Sequence, residues 1–185
     1  MLQKSCAMKD TNYLNKFWKS SLKTDNLSIP PKTLLLEEGK VADKLYLIRK
    51  GCLRLFFYNE GKDITFQFFF EGDFVASFDS LYKQQPSLFS LESIEPTEVT
   101  FIMRKDFYNF VEQDALIRKE YEEKLIERFH VYQQLFLSRI KNTPQQRYEE
   151  LLKEYPGIVQ RVPQHYIASY LGITPVSLSR IRSRR

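Results

Sequence analysis

The stretch QHYIASYLGITPVSLSRIRSRR, residues 164–185, places small and apolar residues at fixed intervals ahead of a cluster of arginines. Two helices that cross at a steep angle need a small residue at their closest approach and a turn residue that can adopt positive φ. Ala168 and Gly172 stand at these two positions. The apolar positions of the same pattern are Ile167, Leu171, Ile173, Leu178 and Ile181. The stretch therefore predicts a helix-turn-helix.

The second predicted helix carries the candidate DNA-reading residues. Thr174 is expected to be its N-cap and Pro175 its first residue. The guanidinium of Arg180 matches O6 and N7 of guanine, Ser177 can contact a base or a phosphate, and Val176 can pack on a thymine methyl. The remaining basic and polar residues are expected to hold phosphates. The predicted DNA-binding set is Gln164, Thr174, Val176, Ser177, Arg180, Arg182, Arg184 and Arg185. A helical hairpin used only for packing is the alternative.

The distribution of charge agrees with a polyanionic partner. The 28 Lys+Arg and 23 Asp+Glu give a net charge of +5, and residues 1–140 hold equal numbers of both. All of the net charge therefore lies in residues 141–185, where arginines that neutralise phosphates would release condensed counterions. A solvated basic tail is the other interpretation of the charge.

The first half of the chain has the pattern of short strands. After a helical start around Leu14 to Leu22, the segments KTLLLEEG, KLYLIRKG, CLRLFFYNEG and DITFQFFFEG each end on a glycine, and LFSLESI and EVTFIMRK follow. Glycines at 10- to 12-residue spacing are typical of strands joined by turns. The pattern predicts an antiparallel β-roll of the jelly-roll type with roughly seven or eight strands.

A long helix follows the strands. DALIRKEYEEKLIERFHVYQQLFLSRI contains neither glycine nor proline, and its apolar residues recur at the spacing of a coiled coil. Such a stripe can pack on its own β-roll or on the same helix of a second copy. The length of the helix favours a homodimer, and the predicted dimer residues are Tyr121, Leu125, Phe129, Tyr132 and Phe136.

Asn142-Thr143-Pro144 then starts another helix, with Thr143 as its expected N-cap. The predicted fold class is α+β, in three parts: a β-roll over residues 1–113, a long connecting helix over residues 114–141, and a helix-turn-helix domain over residues 142–185.

The strands LYLIRKGCLRLF and FFFEGDFVAS, the long helix and the terminal IASYLGITPVSLSRIR together resemble the Crp/Fnr family of bacterial transcription regulators. The resemblance implies a cyclic-nucleotide-binding-like effector domain in the β-roll and a homodimer that binds a two-fold related site in double-stranded DNA. It also implies regulation of transcription, an unknown small-molecule effector and RNA polymerase as a further candidate partner.

The resemblance also shows what the effector pocket lacks. Members that bind cyclic nucleotides hold the ribose with the glutamate of a Gly-Glu pair and the phosphate with the arginine of an Arg-Ser or Arg-Thr pair. Here the first pair is Ala76-Ser77 and the second falls at Pro86-Ser87 or Ser87-Leu88. Without a charge-assisted contact to the phosphate, cyclic AMP or GMP is not expected to bind. The candidate pocket is Val75, Ala76, Ser77, Phe78, Lys83, Ser87 and Leu88, in which Lys83 could supply a weaker point charge.

The phenylalanines of the β-roll have two interpretations. They can enclose an apolar effector, or they can simply form the core, which we favour. The members of the set are Phe66, Phe68, Phe69, Phe70, Phe74, Phe78 and Phe89.

No cofactor, metal or enzymatic activity is predicted. Cys6 and Cys52 cannot supply an iron–sulfur ligand set, and His130 and His165 do not stand near a plausible nucleophile in the sequence. Phosphate-binding glycine motifs are absent as well. With neither a signal peptide nor an apolar run of membrane-spanning length, the protein is expected to be cytoplasmic, without a membrane partner.

Two departures concern DNA recognition. Many relatives carry an Arg-Glu pair where Pro175-Val176 stands here, and the sequence ends directly after the predicted second helix, so that a short form without the β-hairpin wing is expected. Both favour an alternative function: a signalling domain of the same fold that binds an effector or a protein without specific DNA recognition.

Overall fold

The computed structural model of the protein describes Trp18 and residues 24–183. Trp18 is helical and buried, and its ring lies 5.3 Å from that of Phe74. Apart from Trp18, the helix predicted around Leu14 to Leu22 lies outside the described residues.

Within the described residues, two four-stranded antiparallel sheets form the first half of the chain. The strands are β1 (Thr24–Ile29), β2 (Leu34–Leu36), β3 (Lys44–Lys50), β4 (Leu53–Asn59), β5 (Lys62–Phe69), β6 (Phe74–Val75), β7 (Ser90–Ser93) and β8 (Thr97–Met103). One sheet has the order β1-β8-β3-β6 and the other has the order β2-β7-β4-β5. The predicted β-roll is confirmed.

The core of the roll lies between the two sheets. Successive side chains of a strand point to opposite faces, and on β3 both faces are covered: Tyr46 and Ile48 pack between the sheets, and Leu45 and Leu47 pack in a second cluster on the other face. Residues from one sheet and from the other share one cluster, which includes Ile48, Leu53, Val75, Leu91 and Val99. The two sheets therefore form one folding unit.

The turn between β3 and β4 requires glycine. Gly51 adopts a φ of +101°, and a Cβ at this position would lie 2.7 Å from the Cα of Thr97 and 2.8 Å from the carbonyl oxygen of Pro96. Both the backbone conformation and the space exclude a side chain. The two sheets consequently meet closely at this turn.

Seven helices follow or interrupt the strands in the described part of the chain: α1 (Phe78–Lys83), α2 (Arg104–Gln113), α3 (Ala115–Lys141), α4 (Pro144–Glu154), α5 (Ile158–Arg161), α6 (Gln164–Leu171) and α7 (Pro175–Ser183). Asp114 caps α3 by accepting hydrogen bonds from the backbone N–H groups of Leu116 and Ile117. Thr143 and Gln146 form a capping box at the start of α4, as expected from Thr143-Pro144 in the sequence.

The long helix α3 has two apolar faces with different surroundings. Tyr121 lies 5.2 Å from Phe107 of α2, and Tyr132 lies 5.8 Å from Phe66 of the roll, measured between ring centroids. By contrast, Phe129 is 62% exposed, and Leu125 and Phe136 are exposed as well. Within the predicted dimer set, Tyr121 and Tyr132 thus pack inside their own chain and the other three residues face outward.

None of the described helices combines the length and the hydropathy that crossing a bilayer would need.

Candidate nucleic-acid interface and effector pocket

The turn between α6 and α7 has the geometry that its sequence predicts. Ala168 is fully buried, and Gly172 ends α6 in the left-handed region with a φ of +67°. The N–H of Ile173 donates to the carbonyl oxygen of Ala168 at 3.0 Å, and the N–H of Gly172 donates to Ser169. This closure satisfies carbonyls at the end of α6 and turns the chain sharply into α7.

An apolar cluster holds the two helices together and orients α7. Ile167 and Leu171 of α6 and Leu178 of α7 are buried against Tyr148 and Leu151 of α4. Since Leu178 faces this cluster, the opposite side of α7 faces outward. The helix-turn-helix unit therefore includes α4 as its support.

The N-terminus of α7 is capped by Thr174, as predicted. Its Oγ1 accepts a hydrogen bond from the N–H of Ser177 at 3.1 Å and lies 3.0 Å from the Oγ of Ser177. The Thr174 hydroxyl thus already has a structural role in this arrangement.

The outer face of α7 carries the other predicted DNA-reading residues. Val176 is 61% exposed, Arg180 is exposed, and Ser177 and Arg182 are half-buried. Among the described residues, neither Arg180 nor Arg182 forms an ion pair with a carboxylate. Gln164 is exposed at the start of α6. The structure thus brings these five residues to one unit, whereas Arg184 and Arg185 lie outside the described residues.

Two arginines that the sequence analysis did not select fix the C-terminus of α6. Arg139 of α3 donates to the carbonyl oxygen of Tyr170 at 2.8 Å, and Arg147 of α4 donates to that of Leu171 at 2.9 Å. The last carbonyls of a helix lack partners within the helix and carry partial negative charge. Both arginines therefore tie α6 to neighbouring helices. No local sequence pattern indicates these contacts, because the partners lie 31 and 24 residues apart.

The candidate effector pocket is closed by its own polar groups. The Oγ of Ser87 lies 2.8 Å from the Oγ of Ser77 and 2.7 Å from the carbonyl oxygen of Phe89, and it accepts a hydrogen bond from the N–H of Phe89 at 3.1 Å. Both serines are buried, together with Val75 and Ala76. The polar atoms of this region are thus satisfied within the protein and present no charge to a ligand.

The other predicted pocket residues lie elsewhere. The Nζ of Lys83 pairs with the Oδ1 of Asp79 at 2.7 Å on the surface, where the Lys83 side chain is 54% exposed. Leu88 is 69% exposed, and Phe78 packs against the cluster that contains Trp18. The set predicted as one pocket is therefore divided, and the interpretation of Lys83 as a point charge inside the pocket is corrected, because Asp79 holds it at the surface.

A series of aromatic rings connects this region to α3. Phe57 meets Phe89 edge to face at 6.2 Å, Phe89 stacks on Phe66 at 4.8 Å, and Phe66 contacts Tyr132 of α3 at 5.8 Å. Phe69 is buried between the two sheets, whereas Phe68 and Phe70 are buried against the C-terminal helices, where their rings contact Tyr170 and Tyr155. Within these described residues, the rings pack against one another, which agrees with their interpretation as core.

The described chain thus has two parts, a roll of two sheets and a helix-turn-helix, which the long helix α3 joins. Residues 26–114 match the family model described as "Cyclic nucleotide-binding domain". The fold of the whole chain is similar to that of solved structures, one of which is assigned to the Crp/Fnr family of transcription regulators. The resemblance noted in the sequence is confirmed.

Three solved structures illustrate the similarity. FixK2 from Bradyrhizobium japonicum has a TM-score of 0.76 at 17% identity, over 88% of this chain and 84% of FixK2. The global regulator CLP from Xanthomonas campestris, described as responsive to c-di-GMP, has a TM-score of 0.71 at 15% identity, over 92% of this chain and 89% of CLP. A protein from Eubacterium rectale assigned to the Crp/Fnr family has a TM-score of 0.70 at 19% identity, over 93% and 82% of the two chains.

At these identities the comparisons establish the fold. A search of curated protein sequences found no significant match to this chain.

Proposed function

We propose that the protein is a transcription regulator of the Crp/Fnr type that binds double-stranded DNA through α7. The observation that carries this proposal is the outer face of α7, where Val176 and Arg180 are exposed on a helix whose inner face is fixed by Leu178. Ser177 lies between them, half-buried and in contact with Thr174. The net charge of the chain lies in the same region. An ordered basic helix of this kind fits the major groove.

Each residue of this face has a defined task in the proposal. Arg180 donates to O6 and N7 of a guanine, and Val176 packs on a thymine methyl. Ser177 contacts a base edge or a phosphate. Gln164, at the exposed start of α6, and Arg182 hold phosphates and fix the register of the protein on the duplex.

The proposed regulator acts as a homodimer. The exposed face of α3 carries Ile126, Phe129, Phe136 and Ile140, which repeat at the spacing of a coiled coil. An apolar row of this length on the surface of a helix is typical of a protein–protein interface. Pairing through α3 would place two α7 helices for half-sites about one turn of DNA apart.

The effector in this proposal is not a cyclic nucleotide. A cyclic phosphate needs a cation, and the corresponding region holds the hydrogen-bonded pair Ser77 and Ser87 instead. An effector of the roll would therefore not be held through a phosphate at these two serines. RNA polymerase is the proposed partner at the promoter.

Footprinting on DNA upstream of the gene and of neighbouring operons, at two salt concentrations, tests the proposal. We expect protection of a palindrome that weakens steeply with salt, since phosphate contacts release counterions. Arg180→Ala should weaken binding to this site by about 1–3 kcal/mol and change binding to unrelated DNA less. Ser179→Ala, which alters an exposed neighbour on α7, is the matched control.

Two results would contradict the proposal. An equal loss on all sequences would remove Arg180 from base recognition. Weak binding by the unaltered protein, without sequence preference, would favour the alternative function, a domain that binds an effector or a protein partner without reading DNA.

A further inference from the structure

The helix-turn-helix unit is docked on the roll along the open edge of β5. Among the described strands this is the last of its sheet, so that one row of its backbone groups has no partner strand among them. The N–H of Thr65 donates to the Oγ of Ser169 in α6 at 2.9 Å, and the same Oγ donates to the carbonyl oxygen of Asp63 at 3.2 Å. At this edge of β5, the Ser169 hydroxyl thus makes two hydrogen bonds of the kind that a neighbouring strand would make.

A buried arginine lies beneath this contact. The Arg54 side chain is 2% exposed, and its guanidinium donates to Glu92 at 2.9 Å, to Asp63 at 2.7 Å and to the hydroxyl of Thr65 at 3.1 Å. All three partners belong to the roll. Since their geometry is complete without α6, the roll presents a preformed charged socket.

The helix-turn-helix unit closes this socket with one ring. The Cζ of Arg54 lies 3.6 Å from the centroid of the Tyr166 ring in α6 and 4.1 Å from the centroid of the Phe56 ring. A cation over two aromatic rings is stabilised by both, and more strongly when water is excluded. Without Tyr166, one face of a buried charge would meet solvent.

A second arginine anchors the segment before α6. Arg161, the last residue of α5, forms two hydrogen bonds with Glu71 at 2.6 and 3.0 Å, and it also donates to Glu95. Glu71 in turn accepts from the N–H of Gly51 at 2.8 Å. Although burial alone would raise the pKa of Glu71, the hydrogen bond from Arg161 lowers it. This anchor joins α5 to the loops at the end of the roll.

The docked arrangement leaves the DNA-reading face open. Tyr166 and Ser169 face the roll, whereas Val176 and Arg180 of α7 are exposed. Docking therefore does not cover the residues proposed to contact bases. Its effect is to fix the direction of α7 relative to the roll and, through Arg139, relative to α3.

We propose that Arg54 and Arg161 are positioning residues for DNA recognition, which dock the helix-turn-helix unit on β5 and thereby fix the spacing between the two α7 helices of a dimer. The inference rests on the proposed function. Once one α7 helix of the dimer is bound, the other binds its half-site at high effective concentration only if the dimer holds it at the correct distance. Loosening the docking therefore lowers the affinity for the full site without changing any contact to DNA.

Two variants loosen the docking with little change in volume: Arg161→Gln removes the anchor to Glu71 and Glu95, and Tyr166→Leu removes the ring over Arg54. Arg118→Gln is the matched control, because the described hydrogen bonds of the Arg118 side chain go to the carbonyl oxygens of Val111 and Glu112 at the end of α2, away from the junction. Each protein is titrated with a duplex that carries the full palindrome and with a duplex that carries one half-site. Sedimentation verifies that all of them remain dimers.

We expect both variants to bind the half-site within about twofold of the unaltered protein and to lose at least about tenfold on the full palindrome. They should also discriminate less against palindromes whose half-sites are moved by one or two base pairs. Full-site affinity that stays at the unaltered level in both variants would overturn the positioning role.

Hydrogen exchange at the Thr65 amide measures the docking without DNA. We expect slow exchange in the unaltered protein and faster exchange in both variants, because the Ser169 contact is lost. Fast exchange in the unaltered protein would overturn the docked arrangement itself. Absence of palindrome binding by the unaltered protein, with the Thr65 amide protected, would overturn the proposed function and with it the role in DNA recognition, while the docking stands.

Discussion

The pocket around Ser77 and Ser87 and the junction between the roll and α6 differ in how they use charge. In the pocket, where the Crp/Fnr resemblance places a ligand phosphate, two neutral hydroxyls bind each other. At the junction, Arg54 and Arg161 are held by four carboxylates from the roll. The buried Arg54 and the partly exposed Arg161 thus use their charges on partners within the protein, and neither faces the pocket serines among the described contacts.

This difference teaches that recognition of a cyclic phosphate has to be inferred from the side chains of the pocket and not from the fold alone. The fold fixes where strands and helices lie, whereas recognition of a phosphate depends on one or two charged side chains. Here the polar groups of the pocket are satisfied internally, and the charged groups stabilise the orientation of the second domain.

The largest expected effect concerns the junction. Arg54→Met leaves Asp63 and Glu92 facing each other without their cation, and removal of one member of a buried ionic group typically costs about 3–5 kcal/mol. Because Asp63 is partly exposed, we expect a loss near the lower end, about 3 kcal/mol of the free energy of unfolding. Urea unfolding at a fixed protein concentration measures it.

Lys83→Met is the control for this change. It breaks the exposed pair with Asp79 beside the pocket, and pairs of this kind contribute less than about 1 kcal/mol. If Arg54→Met and Lys83→Met shifted the urea midpoint equally, the ionic group at the junction would stabilise the protein no more than the exposed pair beside the pocket.

An intermediate effect is expected at Asp73, which lies between the junction residue Glu71 and the pocket strand β6. Burial raises the pKa of Asp73 to about 6, although the hydrogen bond from Phe70 and the charge of Arg128 act in the opposite direction. The folded state therefore keeps its proton at higher pH than the unfolded state does. Through this group the free energy of unfolding falls as the pH rises from about 4 to above 6.

Asp73→Asn removes this dependence and keeps an oxygen that can accept from Phe70. We expect the stability difference between the unaltered protein and the variant to be more favourable to the unaltered protein at pH 4.5 than at pH 7, by about 1–3 kcal/mol. Urea unfolding at both pH values gives the difference. A constant difference across this range would mean that Asp73 is ionised in the folded protein throughout.

The smallest expected effect concerns the pocket, where we expect cyclic AMP not to stabilise the protein. Cyclic AMP at millimolar concentration should move the melting temperature by less than about 1 °C, because a ligand stabilises only the state that binds it. Adenosine, which lacks the phosphate, is the control. A melting temperature that rises with the concentration of cyclic AMP but not with that of adenosine would show that the pocket binds a phosphate at Ser77 and Ser87. The pocket and the junction would then no longer differ in their use of charge.

Local patterns made much of the fold predictable. Ala168 and Gly172 predicted the turn between α6 and α7, Thr143-Pro144 predicted the start of α4, and the spaced glycines predicted the strands. Each of these signals acts over a few residues, where backbone conformation and capping depend on residue type. The sequence could therefore indicate both the β-roll and the helix-turn-helix.

Contacts between distant segments were not predictable in the same way. Arg161 and Glu71 are 90 residues apart, and Thr65 and Ser169 are 104 residues apart. No periodicity marks such pairs, so the docking of α6 on β5 was missed. The apolar stripe of α3 was predicted, but only the packed structure separates Tyr132, which meets the roll, from Phe129, which does not.

The turn at Gly51 has a consequence for how this sequence can vary. A Cβ there would enter the backbone of Pro96 and Thr97, whereas a Cβ at Gly39 or Gly61 would meet nothing within 4 Å. In a library of all single substitutions, selected for folded protein, the Gly51 position should retain only its original codons. The backbone of Pro96 and Thr97 cannot move away without separating the two sheets at this turn. We therefore expect no other amino acid at position 51 in any variant that keeps the roll.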